Sequence, residues 1–216
     1  MKTIFCPLVM ASDMLTRHPV ILSTWGKGQD FLPMLNYGDY LNMTHVQVNT
    51  LYALSNNRMP VFDWYVFCCT DIYVWIKRLE QVLNEKYSDI IPTCFGYQYS
   101  FQENVAIDPR SKCLGEECQT PVFFPSGSCF ALNREALLKV SEYVFKSPDY
   151  SFSSFNDVSM GFWLRHCKIP IIHDDRFDIE GKNLDEEHLK TNLMSHRLSA
   201  EKIKELHHRF KDEGKE

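Results

Sequence analysis

The pattern of apolar and polar residues along this chain alternates between two types. Some segments are apolar runs typical of strands, and others have the apolar spacing typical of helices. Residues 3–10 and 62–68 are almost uninterrupted apolar runs and predict buried strands. The apolar positions that follow Asp71 recur three and four residues apart on one helical face, and they are Ile72, Trp75, Ile76, Leu79, Val82 and Leu83. The alternation predicts an α/β fold with a mostly parallel central sheet flanked by helices.

The remaining predicted elements continue this alternation. Helices are predicted near 14–26, over 50–59 and 72–85, and from Asn133, Asn156 and Ser199 onward. Short strands are predicted around 30–35 and 44–49, and a turn at 125–127 precedes a strand through Leu132. Residues 97–121 show no clear period and predict a long loop or an irregular hairpin.

Size and charge narrow the classes of protein. With 216 residues, 44% of them hydrophobic, we expect one domain over 1–216 with frayed ends at 1–2 and about 211–216. A net charge of -5 leaves no overall basic field, so a nucleic-acid partner is not expected. No run approaches the ~20 apolar residues of a membrane helix, so no transmembrane segment is expected in this chain. Pro7 interrupts the first apolar run, which favours a core strand over a cleaved signal peptide.

The eight cysteines show no paired CxxC spacing of the kind that marks a zinc site. Cys113 and Cys118 bracket "LGEE" in a polar segment, where a disulfide is plausible in an oxidising compartment. Asn42, Met43 and Thr44 match the acceptor pattern for N-glycosylation. These patterns leave the compartment open.

Asp71 stands directly after a buried strand in "FDWYVFCCTDIYVWIKRL". In an open parallel sheet, ligands bind at the carboxyl ends of the strands, so this acid is a candidate for the functional site. An N-cap of the helix that follows explains the same residue equally well. Both interpretations stay open on this residue alone.

Four segments in order carry a family resemblance: "RHPVILSTWGK", "DWYVFCCTDIYV", "PSGSCFALNREAL" and "NDVSMGFWLRHCKIPII". Together they resemble the inverting β1,3-glycosyltransferases of the Fringe and core-1 galactosyltransferase type, from residue 3 to about residue 210. The resemblance implies a GT-A fold, a UDP-sugar donor, Mn²⁺ and a place in the lumen of the Golgi or endoplasmic reticulum. A cytoplasmic or secreted protein remains an alternative.

The resemblance also implies roles for particular residues. Asp71 corresponds to the last acid of the family's D-D-D triplet, a metal ligand, while Cys69 and Thr70 replace the other two acids. The metal affinity is therefore expected to be lower, or another residue supplies the missing oxygen. The second metal ligand is expected to be His196, with alternatives in one short segment: His173, Asp174 and Asp178.

The resemblance also implies which residues bind the sugar donor and which residue removes the proton from the acceptor hydroxyl. The residues implied around the nucleotide sugar are Arg17, Cys69, Thr70, Asp71, Ser126 and Gly127. Asp157 is the implied general base, with Asn156 in place of a neighbouring acid. For both Asp157 and Gly127 an ordinary structural role, a helix cap or a turn, explains the residue as well.

Two functions of different classes follow. One is an enzyme that transfers a hexose or N-acetylhexosamine from a UDP-sugar to a glycan or glycoprotein. The other is a catalytically impaired relative that acts as a partner or chaperone of an active transferase, because three family acids are replaced at Cys69, Thr70 and Asn156. A doubly wound nucleotide enzyme is disfavoured because no glycine-rich phosphate loop follows the first strand.

Overall fold

The computed structural model describes residues 1–38, 42–56, 60–86, 91–100, 123–147 and 156–211. The strands are β1 (Thr3–Met10), β2 (Asp30–Phe31), β3 (Met34–Asn36), β4 (Trp64–Cys68), β5 (Tyr73–Val74), β6 (Cys94–Ser100), β7 (Phe123–Asn133), β8 (Ile171–His173), β9 (Phe177–Asp178) and β10 (Met194–Ser195). The helices are α1 (Arg17–Ser23), α2 (Met43–Ser55), α3 (Ile76–Lys86), α4 (Arg134–Lys146), α5 (Asn156–His166), α6 (Glu186–Leu189) and α7 (Ala200–Phe210).

The central sheet has the strand order β2-β1-β4-β7-β6-β8, and β3 also pairs with β1. Strand β1 runs parallel to β2, β3 and β4, and β8 runs parallel to β6. Strand β7 is antiparallel to both of its neighbours, β4 and β6. The predicted α/β class, with a mostly parallel sheet between helices, is confirmed.

Helices cover both faces of this sheet, which explains why β1 and β4 are apolar without interruption. One face packs against α1, α3 and α7, with Ile21, Leu83 and Ile203 in the shared core. The other face packs against α2, α4 and α5, with Leu51 and Val140 among its buried side chains. The stripe predicted for α3 therefore faces the sheet.

A second, smaller sheet has the order β5-β10-β9. Strand β10 is antiparallel to β5, with Ser195 opposite Tyr73, and parallel to β9. This sheet connects the segment just after Asp71 to the C-terminal part of the chain.

Two predicted helix starts are confirmed by their caps. The Asn133 side chain accepts a hydrogen bond from the Ala136 amide at the start of α4. The Ser199 side chain accepts one from the Lys202 amide at the start of α7. Each side chain satisfies a backbone N–H that the helix itself leaves unpaired.

Several predicted elements are wrong in type or extent. The strand predicted at 44–49 and the start of the helix predicted at 50–59 are one helix, α2, because Met43, Gln47 and Leu51 recur every four residues on its buried side. This helix ends at Ser55, and residues 57–59 lie outside the described residues. The turn predicted at 125–127 lies inside β7, which the neighbouring strands hold extended. The helix predicted from residue 72 begins at Ile76, because Tyr73–Val74 pair with β10 instead.

Other expectations fall partly beyond the described ranges. The predicted loop at 97–121 is strand β6 as far as Ser100, and its remainder, with Cys113 and Cys118, lies outside the described residues. Within the part of the chain that is described, no helix has both the length and the apolar character needed to cross a bilayer.

Trp25 connects the core on the α1, α3 and α7 side of the sheet to the backbone just after Asp71. Its indole Nε1–H donates a hydrogen bond of 3.0 Å to the buried carbonyl of Ile72. Its ring packs edge-on against Phe5 with the centroids 5.7 Å apart. Trp25 thereby fixes the backbone at the carboxyl end of β4.

We expect Trp25→Phe to lower the free energy of unfolding by about 1–3 kcal/mol more than Trp75→Phe, measured in urea. Both changes remove a similar part of a buried indole. Only Trp25 has a hydrogen-bond partner for Nε1 among the described residues. Equal losses in the two variants would show that the bond to Ile72 contributes nothing.

Candidate functional site

A cavity of about 460 Å³ opens where the carboxyl ends of β1 and β4 meet. These strands are parallel neighbours, with Pro7 opposite Cys68, so the segments that follow them lie side by side. The cavity is lined by every residue assigned to the site from the sequence: Arg17, Cys69, Thr70, Asp71, Ser126, Gly127, Asp157 and His196. Asn156 lines it as well.

Asp71 and His196 face each other in this cavity. Asp71 Oδ1 lies 3.2 Å from His196 Nε2. On the other side of the ring, His196 Nδ1–H donates to the carbonyl of Ile179 at 2.9 Å. The Leu198 amide donates to the Asp71 carbonyl at 2.9 Å, so the backbone as well as the side chains holds the two segments together.

The charges of this pair depend on each other. Burial disfavours the charged form of His196, but the hydrogen bond and charge of Asp71 outweigh burial and raise the pKa of His196. Burial also disfavours ionised Asp71, but His196 and Arg17 outweigh it and lower the pKa of that carboxyl. A proton on Nε2 and a divalent cation would therefore compete for the same place beside this carboxylate.

The donor atoms fit a divalent cation. One atom each of Cys69, Asp71 and His196, a sulfur, an oxygen and a nitrogen, lie within 4.8 Å of one another. These are ligand types of divalent first-row metals. The bond from Nδ1 to Ile179 fixes the tautomer that leaves Nε2 free for a metal, as ligating histidines usually require.

The alternative second ligands are engaged elsewhere and do not line the cavity. His173 accepts from the Gln98 amide at 3.0 Å and contacts Asp175 at 2.9 Å. Asp174 pairs with Arg176. Asp178 is buried and accepts hydrogen bonds from two backbone amides in the turn that follows it. The geometry therefore favours His196.

Asp157, in the first turn of α5, lies against the backbone of β7. Its Oδ2 accepts from the Gly127 amide at 3.2 Å, and its Oδ1 accepts from the Val158 amide at 2.8 Å. A Cβ at position 127 would lie 2.9 Å from Oδ2, so glycine permits this approach. Burial raises the pKa of Asp157, although the amide hydrogen bonds oppose the shift.

Ser126 and Thr70 are oriented by other side chains. The Ser126 and Ser128 hydroxyls lie 2.8 Å apart and are buried. The Thr70 hydroxyl donates to Asp13 Oδ2 at 2.7 Å. Asp13 Oδ1 also lies 3.4 Å from Arg17 Nη1. Both predicted residues, Thr70 and Arg17, are therefore held by one buried carboxylate.

Asp13 and Arg197 line the cavity and were not assigned from the sequence. Asp13 follows β1 just as Asp71 follows β4, so the same strand-end rule identifies it. It places a further carboxylate near Thr70, where the family triplet has an acid. Arg197 has a left-handed backbone, with φ of 58°, and pairs with Glu180 at 2.7 Å. No sequence pattern marks it.

Gly181 supports His196 from outside the cavity. Its φ of 65° is in the left-handed region that favours glycine. A Cβ at this position would collide with the carbonyl oxygen of His196. The glycine thus allows the turn after β9 to pack against the backbone of the candidate ligand.

Comparisons with known proteins add only weak likenesses. No protein-family model and no curated protein sequence matches the chain. It is similar to the crystal structure of a glycosyltransferase involved in glycosylation of the major capsid of PBCV-1 (13% identity, 95% of this chain and 98% of that chain, TM-score 0.48). It is also similar to the galactosyltransferase LgtC in complex with donor and acceptor sugar analogues (11%, 97% and 96%, 0.47) and to A197 from STIV (12%, 80% and 82%, 0.45). Values this low carry no argument about function.

We expect Gly181→Ala to destabilise the protein more than Gly28→Ala, by an amount that chemical denaturation resolves. Both glycines have positive φ, so both alanines incur backbone strain on the order of 1 kcal/mol. Only position 181 adds a collision with His196, since a Cβ at position 28 meets no atom within 4 Å. Equal losses would mean that the contact with His196 is easily relieved.

Proposed function

We propose that this protein is an inverting glycosyltransferase that binds a nucleotide-diphosphate sugar in the 460 Å³ cavity. It transfers a hexose or N-acetylhexosamine to a glycan or glycoprotein. One observation carries the proposal: the cavity brings together a candidate cation site at Asp71 and His196, a half-buried carboxylate at Asp157 and the cationic side chains of Arg17 and Arg197. This combination suits the departure of a diphosphate from a sugar.

The leaving diphosphate needs positive charge around it. Arg17 and Arg197 line the cavity, and Asp13 and Glu180 hold their guanidinium groups by ion pairs. A divalent cation held by Asp71 and His196 would neutralise the charge that grows on the diphosphate as the sugar bond breaks. A bound cation would thus supply the positive charge that a diphosphate needs in a cavity whose three carboxylates otherwise offset its cationic side chains.

Asp157 is the proposed general base. In an inverting transfer the acceptor hydroxyl loses its proton to the carboxylate while its oxygen bonds to the anomeric carbon, and the bond from that carbon to the diphosphate breaks. The Gly127 and Val158 amides orient the carboxylate and leave each oxygen a further lone pair. Its raised pKa makes it a stronger base than an exposed aspartate.

The finer features of the proposal come from the resemblance of four segments to the Fringe and core-1 type. They are a GT-A fold, UDP as the nucleotide, a β1,3 linkage, Mn²⁺ as the cation and a site of action in the secretory pathway. The position of all eight assigned residues around one cavity supports this transfer of roles.

A non-catalytic partner of an active transferase is the second candidate. One observation favours it: Asp71 and His196 lie 3.2 Å apart, within ion-pair distance, so a cation has to displace the contact between them. Cys69, Thr70 and Asn156 also stand where the family has acids. Such a protein would show no cation-dependent binding of UDP.

The expected result for the enzyme is UDP release with at least one UDP-sugar in the presence of a divalent cation. Asp157→Asn should lower kcat by about 10²–10⁴-fold, the usual contribution of a general base. Asp71→Asn should weaken cation-dependent binding of UDP, measured by calorimetry, because it removes a charged ligand.

Asp175→Asn is the matched control, since this carboxylate is exposed and does not line the cavity. It should leave both measurements unchanged. Full activity in both Asp157→Asn and Asp71→Asn would overturn the assigned roles. Absence of UDP binding in the wild type under every cation would favour the non-catalytic partner.

A further inference from the structure

We propose that Cys69 is a third ligand of the cation at Asp71 and His196, and that this site prefers Zn²⁺ or Co²⁺ to Mn²⁺. The inference rests on the proposed function, whose cation site it refines. It assigns a direct bond to the cation to a cysteine that stands where the family has an acid.

The positions of the three donor atoms support this assignment. The atoms from Cys69, Asp71 and His196 all lie within 4.8 Å of one another. Two ligands bonded to tetrahedral zinc at about 2.0–2.1 Å lie about 3.3 Å apart. The observed distance between Asp71 Oδ1 and His196 Nε2 is 3.2 Å. A sulfur ligand, bonded at about 2.3 Å, needs slightly larger separations, and the 4.8 Å limit allows them.

The backbone holds Cys69 at the cavity wall. Its amide donates to the Ser128 carbonyl at 3.0 Å, which continues the pairing of β4 with β7 by one residue. Its Sγ lies 3.2 Å from the Gly127 carbonyl, the weak bond of a protonated thiol. Cys69 is partly exposed to the cavity, whereas Cys68 and Cys129 are fully buried in the sheet. Cation binding would displace the thiol proton, as it does in other thiolate sites.

The chemistry of sulfur sets the preference among cations. Mn²⁺ favours oxygen ligands and binds most weakly in the order of first-row divalent metals, while thiolates favour zinc. Three protein ligands also leave a fourth position open, as in catalytic zinc sites, and a diphosphate oxygen fits there. Cys69, which stands where the family has an acid, therefore adds a ligand to the site and does not remove it.

Cobalt tests this directly, because a thiolate bound to Co²⁺ gives an intense near-ultraviolet charge-transfer band that carboxylate and imidazole ligands do not give. The background protein carries Cys113→Ser, Cys118→Ser and Cys167→Ser, so that only Cys69 and four buried cysteines remain: Cys6, Cys68, Cys94 and Cys129. We expect the band in this background and its loss when Cys69→Ser is added.

Calorimetry on the same two proteins supplies a second reading. Cys69→Ser should weaken Zn²⁺ binding by more than about tenfold. Even a change to a residue that only hydrogen-bonds a metal ligand typically weakens metal affinity by at least this factor. Mn²⁺ binding should change much less. Saturating Co²⁺ without a band in the background protein, or a band that persists in Cys69→Ser, would overturn the inference.

The two proposals fail separately. UDP release with Mn²⁺ but no charge-transfer band would remove Cys69 as a ligand and leave the transferase in place. A band that depends on Cys69, without UDP release under any cation, would support the ligand set and overturn the enzyme. Where a variant fails to fold, the wild type still tests the inference, because saturating Co²⁺ without a charge-transfer band would overturn it.

Discussion

The antiparallel pairing of β5 with β10 is the constraint on which the candidate site depends. Two residues of each strand suffice to bring His196, near the C-terminal end of the chain, beside Asp71 at the end of β4. The Trp25 indole donates a hydrogen bond to the Ile72 carbonyl, next to Asp71, and Gly181 permits close packing against the His196 backbone. Because these contacts fix the backbone on both sides of the pair, the separation of carboxylate and imidazole is set by the fold and not by long, flexible side chains.

The same cavity contains three carboxylates whose surroundings differ. Asp13 is paired with Arg17 and Thr70, and Asp71 is paired with His196. Among the residues that the structure describes, Asp157 has only backbone amides as hydrogen-bond partners, and burial raises its pKa while that of Asp71 is lowered. The three carboxylates are thus suited to different roles: Asp13 balances the charge of Arg17, Asp71 is a candidate metal ligand and Asp157 is a candidate base.

Much of this arrangement could be predicted from local sequence. Apolar runs identified β1 and β4, the side-chain caps Asn133 and Ser199 marked two helices, and the strand-end rule pointed to Asp71. The same rule would have found Asp13. The strand predicted at 44–49 was wrong. Val46 and Val48 favour a strand locally, but packing against two helices and a strand stabilises the helix α2 instead. The β5–β10 pairing and the role of Gly181 depend on residues distant in sequence, which no local pattern encodes.

The proposed function and the proposed ligand set both require one cation that is bound by Asp71, by His196 and by a diphosphate. Anomalous diffraction from crystals grown with UDP and Co²⁺ locates such a cation directly. We expect one strong peak within bonding distance of Asp71 Oδ1 and His196 Nε2, with diphosphate oxygens on the same ion. A peak elsewhere, or bound UDP with no peak beside these two side chains, would contradict the shared cation.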